Sequence, residues 1–146
     1  MTTLSNMTKD TQWRVRMAVF DLLADLAMIF GKEIYMKSIH SIFITYLENT
    51  AASVRDKGVL KAANLAKAFG SDWVVNDFIP VIVQHYGIDK KGYNYRMCCL
   101  NSFSAVMPYT PKEAITSQMV PIFQKAAKDD IPNVKFCLSK LLIANK

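Results

Sequence analysis

The chain has 146 residues, is 51% hydrophobic with 11% aromatics, and sets 18 basic against 12 acidic side chains for a net charge of +6. That composition can bury a core and excludes a disordered chain, while five Gly and five Pro are too few for a turn-rich sandwich or barrel. Apolar runs stay far below the ~20 residues of a membrane helix, and residues 1–9 lack the apolar stretch of a signal peptide, so a cytoplasmic or nuclear protein is expected.

In chain order, residues 1–9 read as a disordered or vestigial segment. Val15, Val19, Leu22, Leu26 and Ile29 then recur at three-to-four-residue spacing, which predicts one face of an α-helix over residues 10–30. Phe30-Gly31 closes it, with Gly supplying left-handed backbone. A second apolar series, Ile39, Phe43 and Leu47, follows. Val54-Arg55 opens the next helix, closed by Phe69-Gly70, and Phe78, Ile82 and Tyr86 mark the one after it. A polar turn over residues 87–92 leads to Tyr95-Arg96, and Pro108 and Pro111 end that helix because Pro cannot continue it. Met119, Phe123 and Ala127 then precede Val134-Lys135 and the final apolar run.

These segments repeat. A basic residue preceded by Val or Tyr stands at Arg16, Arg55, Arg96 and Lys135, at intervals of 39, 41 and 39 residues. Leu23, Ala62, Phe103 and Leu142 form a second column. A helix–turn–helix unit of about forty residues is the period of HEAT or armadillo arrays, and the intervals leave little room for the third armadillo helix. The expected fold is all-α, a right-handed α-α superhelix of about three and a half helix pairs. Its parts are the second helix of a truncated repeat at 10–30 and full repeats at 31–69, 70–109 and 110–146.

Pro121, Asp129, Val134 and Lys135 resemble the HEAT signature of Pro, Asp, Val and a basic residue. Asp10, Val15 and Arg16 match its second half, and Pro80, Asp89 and Arg96 match it loosely. A turn Asp can cap the following helix and an Arg can bond the neighbouring turn's carboxylate, so Asp10, Arg16, Arg55, Arg96, Asp129 and Lys135 are expected to form a structural ladder. The first helix carries a second apolar flank of Met17, Phe20, Met28 and Phe30, as expected of a piece of a longer array or of a small protein that self-associates through its ends.

Chemistry is sparse. His40 and His85 lie in different units with no partner four residues away, which favours structural histidines, and no Gly-rich phosphate loop is present. Cys98 and Cys99 are adjacent, Cys137 is distant and no CxxC exists, so neither a disulfide framework nor a zinc ribbon is offered. No catalytic residue, metal or other cofactor is expected. Dispersed lysines, with no run beyond Lys90-Lys91, argue against nucleic acid, although a basic HEAT-like nucleic-acid module stays an alternative class.

One series of segments is more specific. Gln12 to Arg16, Phe69 to Trp73, Ile79-Pro80-Val81, Asn94 to Met97, Met119-Val120-Pro121 and Ile131 to Phe136 together resemble, in order, the scaffolding A-type subunits of protein phosphatase 2A. The resemblance covers nearly the whole chain and argues against nuclear transport receptors, the other HEAT scaffolds in question. It implies a non-catalytic scaffold whose late repeats hold the phosphatase catalytic subunit through the turns between paired helices, with a regulatory B-type subunit held elsewhere on a longer scaffold. By the same resemblance, Trp13, Arg14 and Tyr93 fall on contact positions, Ile131 and Pro132 occupy the equivalent turn of the last unit, and Ala52 stands where the family usually has Tyr.

Overall fold

Helices are the regular elements of the described residues, and local backbone chemistry sets where each one stops. The structure, a computed structural model, describes residues 2–88 and 92–146; Asp89, Lys90 and Lys91, which the sequence places in the longest polar turn, lie outside them. The helix α1 (Thr2–Met7) stands where a disordered or vestigial segment is expected. Thr8 closes it: the buried hydroxyl donates to the Ser5 carbonyl at 2.7 Å, and α1 packs on the next helix.

The helix α2 (Trp13–Ile34) is broken at Gly31, which takes φ 84 and ψ 173, and α4 (Ala52–Phe69) is followed by Gly70 at φ 84 and ψ −179. This region of backbone space is open essentially to Gly alone. A Cβ would meet nothing within 4 Å at either position, so the demand is conformational rather than steric. At the third such corner, after α7 (Tyr93–Val106) and a 3₁₀ turn (Met107–Tyr109), Pro111 does the work with φ −60.

Beyond each corner the chain re-enters a helix, through α5 (Ser71–Trp73) and α8 (Lys112–Ala114) in the later two cases, and then makes one wide π-helical turn. These turns span Tyr35–Ile39, Val74–Phe78 and Ile115–Met119, and they start 39 and 41 residues apart, the same intervals that separate Arg16, Arg55 and Arg96. They lead into α3 (His40–Phe43) with its 3₁₀ extension (Ile44–Glu48), α6 (Ile79–Tyr86) and α9 (Val120–Ala127). Pro80 and Pro121 are the second residues of α6 and α9, where a missing N–H and a bulky ring disturb regular α pairing. Ser41 holds that position in α3 and the wide turn persists, so the bulge belongs to the repeat and the prolines exploit it. The final helix is α10 (Pro132–Ala144). The result is an all-α helical repeat.

The chain forms two compact units, Met1–Ala68 and Phe69–Lys146. In the first, Phe20 of α2 meets Phe43 and Tyr46 edge-on, at ring separations of 6.2 and 6.4 Å. Gly58 of α4 lies against the Tyr46 ring so closely that a Cβ there would collide with it, which explains a glycine inside a helix. Asp21 of α2 pairs with Lys57 and Lys61 of α4 at 3.4 and 3.0 Å. In the second unit, Trp73 is buried between Phe69 and Phe78, and Phe103 of α7 packs edge-on to Phe123 of α9. The Cys137 thiol of α10 lies 3.3 Å from Asn101 Oδ1 of α7, and Asn145 donates to Ser104.

One stripe changes face. The predicted series is fully buried only at Val19: Val15 and Leu26 are half-buried, Leu22 is 43% and Ile29 74% exposed. Phe20, Leu23, Ala24 and Ala27 fill the core with Val19. The helix is apolar on both flanks, so helical periodicity alone fits two stripes about equally well. Leu142 and Ala127 likewise lie exposed where their columns predict burial, with Leu141 and Ala126 taking the inward positions.

Gly58→Ala is expected to cost about 2 kcal/mol, since the new methyl must displace a fully buried ring. Gly70→Ala is expected to cost about 1 to 3 kcal/mol from backbone strain alone. Urea or thermal unfolding followed by circular dichroism checks both, and a wild-type transition in Gly58→Ala would contradict the packing.

Candidate partner-binding turns

Each described turn between paired helices is built around an Asx residue two positions before the helix cap. Asp10 Oδ1 accepts the Gln12 N–H at 2.8 Å, Asn49 Oδ1 accepts that of Ala51 at 3.2 Å, and Asp129 Oδ1 accepts that of Ile131 at 2.9 Å. The expected capping is thus shifted: Gln12 and Ile131 are the N-caps of α2 and α10, no side chain caps either helix, and the Asx group shapes the chain entering it. Asn49 is the residue that sequence reasoning missed. Its place, 39 after Asp10, was the available signal, hidden because the pattern sought was a carboxylate.

The arginines close the turns. Arg16 Nη1 donates to the Asp10 carbonyl at 2.6 Å, and its Nε reaches Asn49 of the following turn at 3.1 Å. Arg55 Nη1 donates to the Asn49 and Thr50 carbonyls at 2.7 and 3.1 Å. Arg96 binds both carboxylate oxygens of Asp129 at 2.6 and 3.0 Å, a planar fork on a planar acceptor. The guanidinium-to-next-turn bond therefore exists at Arg16 and Arg96, with an amide oxygen as acceptor in the first case. Lys135 is exposed on α10, where its charge acts on Asp129. Burial pushes the Asp129 carboxyl up, but the Arg96 fork, the Ile131 amide and the charges of Arg96 and Lys135 outweigh it and hold the group below its ordinary value.

The residues singled out for contact are on the surface of these turns. Trp13, the first residue of α2, is 39% exposed, and the Arg14 guanidinium lies over its ring at 5.3 Å from the centroid. Tyr93, the first residue of α7, is 40% exposed. Ile131 is half-buried and Pro132 exposed at the start of α10, and Ala52 is exposed at the start of α4. Ile131 joins Tyr86, Arg96, Lys125, Lys128, Asp129 and Asp130 around a cleft of about 460 Å³ in the second unit; Tyr93 and Pro132 do not line it.

The titratable interior is given over to packing. His40 Nδ1 lies 3.1 Å from the Tyr35 hydroxyl, and His85 Nδ1 pairs with the Tyr95 hydroxyl, so each histidine is tied to a neighbouring tyrosine. Cys98, Cys99 and Cys137 are buried thiols outside any disulfide, and burial pushes Cys99 and Cys137 up, away from thiolate chemistry. Among the described residues no group of three or more His, Cys, Asp or Glu side chains could hold a metal, and no helix is long and apolar enough to cross a membrane.

Paired helices of about forty residues, joined by Asx turns that arginines lock, define an all-α helical-repeat protein. Over 76 residues, 52% of the chain, it is 25% identical to the regulatory A-type subunit of protein phosphatase PP2A from Saccharomyces cerevisiae. The match spans only 12% of that protein. No family model matches the chain.

Asp129→Asn is expected to cost about 2 kcal/mol at pH 7, because it breaks a largely buried fork. A carboxyl held below its ordinary value of 3.8 stabilises the fold above that pH and stops doing so as pH falls through the folded-state value. The stability gap between wild type and variant should therefore close as pH drops below about 4 in urea titrations. A gap that stays constant down to pH 2 would show that the fork is not its source.

Proposed function

We propose that the chain is part of a HEAT-repeat scaffold that binds the catalytic subunit of a protein phosphatase 2A-type serine/threonine phosphatase through the turns between its paired helices. In this reading the repeats are residues 31–69, 70–109 and 110–146, preceded by a second helix at 10–30. A longer scaffold would also hold a regulatory B-type subunit, in the cytoplasm or nucleus, and the chain itself supplies position rather than chemistry.

The observation that carries the reading is the Trp13–Arg14 stack at a turn surface. Tryptophan and arginine are among the residues most enriched at binding hot spots. Stacking the guanidinium on the indole also restrains both side chains before contact, so less rotamer freedom is lost on binding. The similarity to the yeast PP2A regulatory protein supports the choice of partner, and the exposed Tyr93 and Pro132 with the half-buried Ile131 supply further contact area on turns of the same kind.

Trp13→Ala combined with Arg14→Ala should weaken capture of a phosphatase 2A catalytic subunit by roughly 30-fold or more, with unchanged circular dichroism and melting temperature. Calorimetric titrations of the wild-type and variant chains with the purified phosphatase measure it. Equal affinities would remove the stack from the interface, and no binding by the wild-type chain would remove the phosphatase reading.

A further inference from the structure

The cleft of the second unit lies where the end of α6, the start of α7 and the α9–α10 turn converge. Its wall includes Tyr86, whose side chain is 1% exposed and whose hydroxyl has no hydrogen-bond partner. A buried hydroxyl without a partner is destabilising, a cost a helical stack could avoid with phenylalanine. Burial, followed by the charge of Asp129, pushes this phenol up to about 12, so at neutral pH it keeps its proton and can donate it to an acceptor. Among the described residues that line the cleft, the basic groups are Arg96, Lys125 and Lys128, and the acidic ones are Asp129 and Asp130. The Arg96–Asp129 fork turns those two groups toward each other, and Lys128 stands exposed at the rim. Ile131 adds an apolar surface at the edge.

We infer that this cleft receives an Asp or Glu side chain of a docked protein partner, next to an apolar residue that packs on Ile131. The incoming carboxylate takes the Tyr86 hydroxyl hydrogen bond and the charge of Lys128, after a rotamer change of the side chains that screen the hydroxyl. The inference rests on reading the turns as docking sites and adds the chemistry that one of them reads.

The test uses the full chain and two capped peptides, acetyl-Leu-Glu-Leu-amide and its Gln counterpart, titrated by ¹H–¹⁵N NMR. The Glu peptide should shift the amides of Lys128, Asp129 and Ile131, while the Gln peptide should bind at least fivefold more weakly. Tyr86→Phe should weaken the Glu peptide about fivefold while raising the melting temperature of the free chain by about 3 °C, because it deletes an unpaired buried group. Lys128→Glu, an exposed change that leaves packing alone, should weaken the Glu peptide about tenfold. Equal binding of the two peptides, or Glu-peptide affinity unmoved by Tyr86→Phe and Lys128→Glu, overturns the inference. Unchanged affinity of both variants for the phosphatase, together with the loss caused by the Trp13 and Arg14 substitutions, also overturns the inference and leaves the phosphatase reading standing. Glu-specific, Tyr86-dependent peptide binding by a chain that captures no phosphatase supports the cleft and removes only the phosphatase reading.

Discussion

A guanidinium reaching an Asx side chain 33 residues further on is the bond that gives the turns their shape. In a helical repeat each helix pair buries only part of its own apolar surface, so register between neighbours must be fixed by something directional. Arg16 with Asn49 and Arg96 with Asp129 supply that direction, the first through a single Nε bond and the second through a planar fork that tolerates little rotation. The same Asx groups also receive the backbone N–H two residues on, so one side chain sets both the local turn and its bond to the preceding helix. Trp13 and Arg14 can stand exposed beside such a turn because the backbone under them does not depend on being covered.

The period was legible because it is written in side chains that cannot be exchanged freely: Arg16, Arg55 and Arg96 for the turns, and Gly31 and Gly70 for the corners. Periodicity said nothing of Trp13 and Arg14, which a family resemblance singled out and which stand at the turn surface. What stayed hidden was whatever depends on which of two similar faces points inward. In α2, Leu22 and Ile29 are as apolar as Leu23 and Ala27, and only the positions of Phe43 and Tyr46 decide between them. The cleft around Tyr86 was equally invisible, because Tyr86 reads as an ordinary core aromatic until its hydroxyl is followed to its end.

Charge is distributed in keeping with this division of labour. Asp21 with Lys57 and Lys61 joins second helices, Arg96 with Asp129 joins turns, and these pairs consume charge locally. The net charge of +6 counts these paired groups with the unpaired ones, so it does not by itself define a surface that would follow a phosphate backbone.

The π-helical turns carry one more consequence. Adding a single residue to a helix rotates everything beyond it by about 100°, so the two halves of each first helix present different azimuths to their surroundings. Trp73, ahead of the bulge, and Ile82, beyond it, can therefore both be buried although no single straight helix phase need serve both. Loss of one residue from 74–78 would swing Ile82 and Tyr86 out of the core together, whereas the polar turn at 87–92 can change length without altering any helix phase. The interval of 41 beside two of 39 is the trace such a rule would leave: length varies where it is rotationally neutral and is held constant where it is not.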